Sequence, residues 1–270
     1  MKDARILIQE LLDKKSYTFY DLCDVVRVLR SEVGCPWDRE QDHRSIRNDL
    51  IEETYEVIEA IDNDDPVLLR EELGDVMLQA VFHSVIEEEV GRFDINGVTD
   101  EICKKLIHRH PHVFGDVVAD TTDKVLENWD KIKSDEKSRQ TVYSQMESIP
   151  PMLPALMRAR KIGSRAAKVG FDFPTVEQAY KKIEEESQEL KEAIGTEHAH
   201  EEIGDLLFSV VNVARLLGID PEQALNDSNK KFMSRFEKLE NSILAEGKDM
   251  RDMSIDELDS YYNRAKQSEK

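Results

Sequence analysis

Two carboxylate pairs in the second half of the chain have spacing that could do chemistry: Glu186 with Glu189, and Glu202 with Asp205. On a helix, residues three apart share one face, with Cβ atoms about 5–6 Å apart. The break between the two segments, at Gly195, is short, so the helices are predicted to be antiparallel neighbours. If the pairs face each other, four carboxylates converge. They cannot all stay ionised without a counter-charge, and an all-oxygen ligand set suits a hard cation such as Mg²⁺ or Mn²⁺.

Acidic runs are common in a chain with 57 Asp and Glu, and a single one is ordinarily a solvated helix face. Two features count against that here. Glu186 falls on the apolar line of its helix through Val176, Ala179, Ile183 and Leu190, and Glu53 sits likewise between Leu50 and Val57. A carboxylate aimed at a core is costly unless it is paired or metal-bound. The arrangement is also duplicated. Glu53, Glu56, Glu72 and Asp75 repeat the four acids, with Gly74 and Gly204 in the same place. A helical Gly costs roughly 1 kcal/mol relative to Ala, which suggests close approach of another backbone or a ligand there.

Other residues repeat around this motif. Trp37-Asp38 answers Phe171-Asp172, and Lys105 and Arg109 answer Lys231 and Arg235. Glu202, Asp205, Ser209 and Asn212 share one arc beside a broad apolar face, which reads as the wall of a pocket. Lys231 and Arg235, four apart, present two cations from one face, although Lys230 and Lys238 nearby also fit a solvated basic face. Trp37 and Phe171 could stack on a base, yet aromatics at turns beside helices are more often core. His108, His110 and His112 alternate around Pro111, which favours a turn over a metal site.

These residues must be positioned by helices. Gly and Pro are few, at 11 and 8, and apolar periodicity predicts helices near 4–12, 19–31, 45–61, 67–90, 98–109 and 176–194, with another over 202–217. A charged helical segment is expected at 122–140. The Pro-rich stretch Ile149-Pro150-Pro151-Met152-Leu153-Pro154 is the clearest boundary. The expected fold class is all-α: tandem helical-bundle modules at 1–117 and 151–270, joined by a connector at 118–150.

A formal net charge of -20 argues against nucleic-acid binding, because a polyanion would be repelled. Three scattered cysteines fit a reducing compartment, no apolar run reaches membrane-spanning length, and the first residues do not read as a signal sequence, so a soluble cytoplasmic protein is expected. There is no P-loop, GxGxxG, HExxH or GxSxG motif.

From about Phe19 to Tyr262 the chain resembles the full-length MazG-type nucleoside triphosphate pyrophosphohydrolases. The resemblance rests on both EExxE…ExxD patterns, Gly34-Cys35-Pro36-Trp37-Asp38, Arg109-His110-Pro111-His112-Val113-Phe114, Leu153-Pro154-Ala155-Leu156 and Val169-Gly170-Phe171-Asp172. It implies an all-α, Mg²⁺-dependent homodimer that cleaves (deoxy)nucleoside triphosphates between the α- and β-phosphates in nucleotide-pool cleansing. Metal ligands would be Glu186, Glu189, Glu202 and Asp205, with Glu53, Glu56, Glu72 and Asp75 in the first copy. Lys231 and Arg235 would meet the triphosphate, and Glu185 or Glu189 would take the proton of the attacking water. Asn212 and Asn229, with Phe171 and Asp172, would hold the sugar and base. The first copy has Phe82 and Cys103 in place of the two asparagines, so the second copy is expected to carry most turnover. The rivals are a narrower enzyme for dUTP, dCTP or phosphoribosyl-ATP, and a regulatory module that binds nucleotide without turnover.

Overall fold

The structure is a computed structural model in which residues 3–125, 128–129, 132 and 141–267 are described. Much of the charged segment predicted at 122–140 therefore lies outside the described residues, which are helical without a β-strand. The chain divides into two compact units, Met1–Glu136 and Lys137–Lys270.

The first unit contains α1 (Ala4–Leu12), α2 (Phe19–Arg30), α3 (Pro36–Glu40), α4 (Arg47–Asp62), α5 (Pro66–Glu89), α6 (Ile95–Arg109) and α7 (Pro111–Phe114). Helix α2 starts with a capping box: Asp21 accepts from the Thr18 backbone N–H and its hydroxyl. Helix α5 starts where the Asp65 carboxylate accepts from the N–H groups of Val67 and Leu68, with Pro66 in the first turn. The α4–α5 hairpin turns through Asp64 at φ 51°, a left-handed conformation that aspartate tolerates. Helix α5 is the centre of this unit. Its Val81, Phe82, Val85 and Ile86 pack with Cys23 and Val26 of α2, and with Ile46 and Ile95.

The second unit contains α8 (Val142–Glu147), α9 (Ala155–Ala167), α10 (Val176–Ala193), α11 (Ala199–Leu216), α12 (Pro221–Ala245), a 3₁₀ turn (Met250–Asp252) and α13 (Ile255–Gln267). Helices α10 and α11 form the antiparallel hairpin expected from the short break, turned by Gly195 at φ 85°, where only glycine is unstrained. Helix α9 also packs against α11. The far end of α12 is clasped by α13 through Leu239, Ile243 and Tyr261, with Met250, Met253 and Leu258 against them. The Tyr261 hydroxyl donates to Glu246 at 2.5 Å and accepts from Lys248 at 3.0 Å.

Candidate active site

The α10–α11 hairpin brings Glu186, Glu189 and Glu202 together, each with a carboxylate oxygen within 4.8 Å of the others. Glu186 is 4 % exposed, as its place on the apolar stripe predicts; Glu202 is half-buried and Glu189 exposed. One turn before Glu186, Lys182 places its Nζ 2.7 Å from both Glu185 and Glu186. Those two hydrogen bonds hold the ammonium charged far above the ordinary lysine range. Desolvation, then the Glu186 charge, raise the Glu189 carboxyl, and Lys182 opposes them. One lysine thus offsets only part of the negative charge.

The α4–α5 hairpin repeats the trio with Glu53, Glu56 and Glu72, again within 4.8 Å of one another, and Glu72 is 8 % exposed. Here the position of Lys182 is taken by Asp49. Desolvation raises the Glu53 carboxyl, followed by Asp75, Glu56 and Asp49, and it raises Glu72 with Glu56 next. Ligands of one Mg²⁺ at about 2.1 Å stand no more than about 4.2 Å apart, and those of a larger hard cation at about 2.4 Å no more than about 4.8 Å, so each trio is near the size of a single-cation site and would close by a few tenths of an ångström on Mg²⁺.

Not every acid joins these trios. Asp75 and Asp205 lie outside them; Asp75 is near enough to act on Glu53 and Glu72, and Asp205 is exposed. Glu185 is also exposed and is tied to Lys182. No described atom lies within 4 Å of a Cβ built at Gly74 or Gly204, so the close approach expected at these glycines is not made within the chain.

On the α9 side of α11 lies a cavity of about 420 Å³. Phe208, Asn212 and Arg215 of α11, Ile162 and Gly163 of α9, and Phe171 and Asp172 of the loop before α10 are among the residues that line it. Arg215 donates from Nε to Asn212 Oδ1 at 3.1 Å and from Nη1 to Asp172 Oδ2 at 3.1 Å, and its Nη2 is bonded to Asp172 Oδ1. Its guanidinium holds the Asp172 carboxyl below the usual carboxylate range. Gly163 leaves the space this needs: a Cβ there would lie 2.9 Å from Asn212 Oδ1 and 3.3 Å from Arg215 Nε.

Phe171, Asp172 and Asn212, singled out from the sequence, therefore line one cavity. Phe171 is 82 % exposed and Trp37 61 %, so neither aromatic is core. Asn229, Lys231 and Arg235 lie on α12, the first two exposed and Arg235 half-buried; they neither belong to the trio nor line the cavity. His110 bonds the Leu106 carbonyl at 2.6 Å, and among the described residues no metal-competent trio contains a histidine. Sequence reasoning missed Lys182, Arg215 and Gly163. The one local signal was the spacing of Lys182 to Glu186 and of Asn212 to Arg215, four and three apart.

Two helical hairpins, each gathering three glutamates at a spacing suited to a hard cation, define a duplicated all-α scaffold of acidic-site type. Comparison with known families matches the MazG nucleotide pyrophosphohydrolase domain twice, at residues 41–114 and 174–239. The chain is 45 % identical over 266 residues, 98 % of both chains, to a Thermotoga maritima protein named nucleoside triphosphate pyrophosphohydrolase/pyrophosphatase MazG. It is 41 % identical to the nucleoside triphosphate pyrophosphohydrolase of Escherichia coli K12, over 92 % of this chain and 97 % of that one. It is also 43 % identical to the uncharacterized protein YabN of Bacillus subtilis, over its whole length and 54 % of the relative. The chain belongs to the MazG nucleotide pyrophosphohydrolase family.

Proposed function

We propose that the chain hydrolyses nucleoside triphosphates between the α- and β-phosphates, with water entering and a nucleoside monophosphate and pyrophosphate leaving, mainly at the second unit. The observation that carries this is the shared wall of α11: it supplies Glu202 to the glutamate trio and, about 15 Å further along the axis and within the same arc, Asn212 to the cavity. Two close relatives carry the name of this activity.

Glu186, Glu189 and Glu202 would hold Mg²⁺ or Mn²⁺, with Asp205 on the next turn of α11. When bound, the cation neutralises the phosphates, polarises the phosphorus under attack and lowers the pKa of water. The protein's own part is positional. Lys182 braces Glu186, an unligated oxygen of Glu189 or Glu185 takes the water's proton, and Lys231 and Arg235 meet the triphosphate. Phe171, Asp172, Asn212 and Asn229 hold the sugar and base.

A homodimer accompanies this reading, supported by the exposed apolar side chains Ile203, Leu207 and Val210 of α11. A cytoplasmic role in limiting unwanted nucleotides fits the free thiols of Cys23, Cys35 and Cys103. The test is ³¹P NMR of the purified protein with a nucleoside triphosphate mixture and Mg²⁺. Monophosphate and pyrophosphate, both abolished by EDTA and by Glu202→Gln, are expected. Diphosphate and phosphate would overturn the bond assignment, and binding without turnover would favour a regulatory module.

A further inference from the structure

We infer that Asn212, oriented by Arg215, makes the second-unit site select nucleotides whose base carries a carbonyl oxygen in place of an amino group: 6-oxopurines and 4-oxopyrimidines. This rests on the reading that the base enters the cavity between α9 and α11.

A free asparagine amide is two-faced, with one carbonyl acceptor and two N–H donors, and can turn either way to suit a ligand. Asn212 cannot. Arg215 has donors only, so the atom facing its Nε at 3.1 Å must be Oδ1. Arg215 is itself fixed, with its side chain 12 % exposed and both terminal nitrogens on Asp172. The Asp172 carboxylate is held in turn, since Oδ1 also accepts from the Phe173 N–H at 2.8 Å, which leaves one acceptor site on Oδ2.

What remains of Asn212 for a ligand is its other edge, with two N–H donors, in a cavity whose apolar walls include Phe208, Ile162 and Phe171 and whose charged wall is the Arg215–Asp172 pair. At Asn212, a group left with donors alone is matched by an acceptor. The O6 of guanine or hypoxanthine and the O4 of uracil or thymine accept; the N6 amino group of adenine and the N4 amino group of cytosine donate. An amino group there meets donors, and both partners lose their hydrogen bonds on leaving water.

Inosine and adenosine triphosphates differ at this group, as do uridine and cytidine triphosphates, so they form the test. With the full-length protein and Mg²⁺, kcat/KM for ITP over ATP, and for UTP over CTP, is expected to be about 10-fold or more. Asn212→Ala should bring both ratios to within about 2-fold by slowing the oxo substrates. Arg215→Met frees the amide to turn and should weaken both ratios through KM, and Arg215→Lys, which keeps one donor, should restore part of each. Wild-type ratios near one, with pyrophosphate still released, overturn this inference and leave the proposed activity standing; so do high ratios that persist in Asn212→Ala. Failure of the wild type to bind or turn over any of the four nucleotides overturns the underlying reading and this inference with it.

Discussion

The two units hold the same three glutamates on the same hairpin, yet differ in what surrounds them. In the second, Lys182 stands one turn from Glu186 and a cavity opens on α11; in the first, Asp49 replaces the lysine and the equivalent of Asn212 is Phe82. Counting back from the shared Val-Gly step, Arg27 and Arg30 occupy the places of Gly163 and Ala166. Arg30 lies over the Phe82 ring at 5.2 Å, pairs with both oxygens of Glu89 at 2.8 Å and donates to the carbonyls of Asp38 and Gln41. A smaller hollow of about 270 Å³ remains, walled by ion pairs of Arg27 and Arg30 with Glu88 and Glu89. Arg109, the counterpart of Arg235, stacks on Trp129 at 5.4 Å. The helix hairpin fixes the carboxylates, whereas the residues packed beside it decide what those carboxylates can serve.

The largest expected effect separates the two trios. Glu202→Gln should lower pyrophosphate release by more than the roughly 10–100-fold typical of losing an outer-shell partner, while Glu72→Gln should leave most of it. Equal losses, or the reverse order, would break the contrast between the units. A smaller effect, about 10-fold, is expected from exchanging the neighbouring charge. Lys182→Ala should tighten Mn²⁺ binding at the second trio and Asp49→Lys should weaken it at the first, as calorimetric titration of each variant would read. No change in either would show that the lysine serves the fold and not the charge balance.

A pH response is expected of the first unit, from His83 at a position where the second has Val213. His43 Nδ1 and His83 Nδ1 are 2.8 Å apart, and His43 Nε2 is 2.5 Å from Glu87, which also pairs with Arg92. Burial, then the His43 charge, hold His83 below its ordinary pKa of 6.5. The unfolded chain therefore binds more protons below that value, so the contribution is complete above about pH 6.5 and is lost as pH falls through the folded-state value. Tm measured between pH 7.5 and 5.5 should fall less in His83→Val than in the wild type. An unchanged slope would remove His83 from the account.

The smallest effect concerns Gly204. With open space around it in the chain, Gly204→Ala should raise stability by about 1 kcal/mol in chemical denaturation. If the folded variant instead loses activity, a ligand or a second chain fills that space, which is what its sequence position first suggested.

Much of the scaffold was legible because helical periodicity is local. The burial of Glu186 follows from its place between Ile183 and Leu190, the hairpin from the short break at Gly195, and the duplication from the repeated acids with Gly74 and Gly204. What the tertiary structure decided is which side chains meet across elements. Glu202 and Asp205 lie only about 60° apart around α11, so which of them faces the α10 pair depends on the rotation of the hairpin, and it brings in Glu202. Spacing likewise makes Arg215 a neighbour of Asn212, but the packing of α9 and the Phe171-Asp172 loop against α11 locks both with Asp172, and an absent side chain at Gly163 makes room for them. A one-dimensional pattern places residues on a face of a helix; the crossing of helices settles what each face touches.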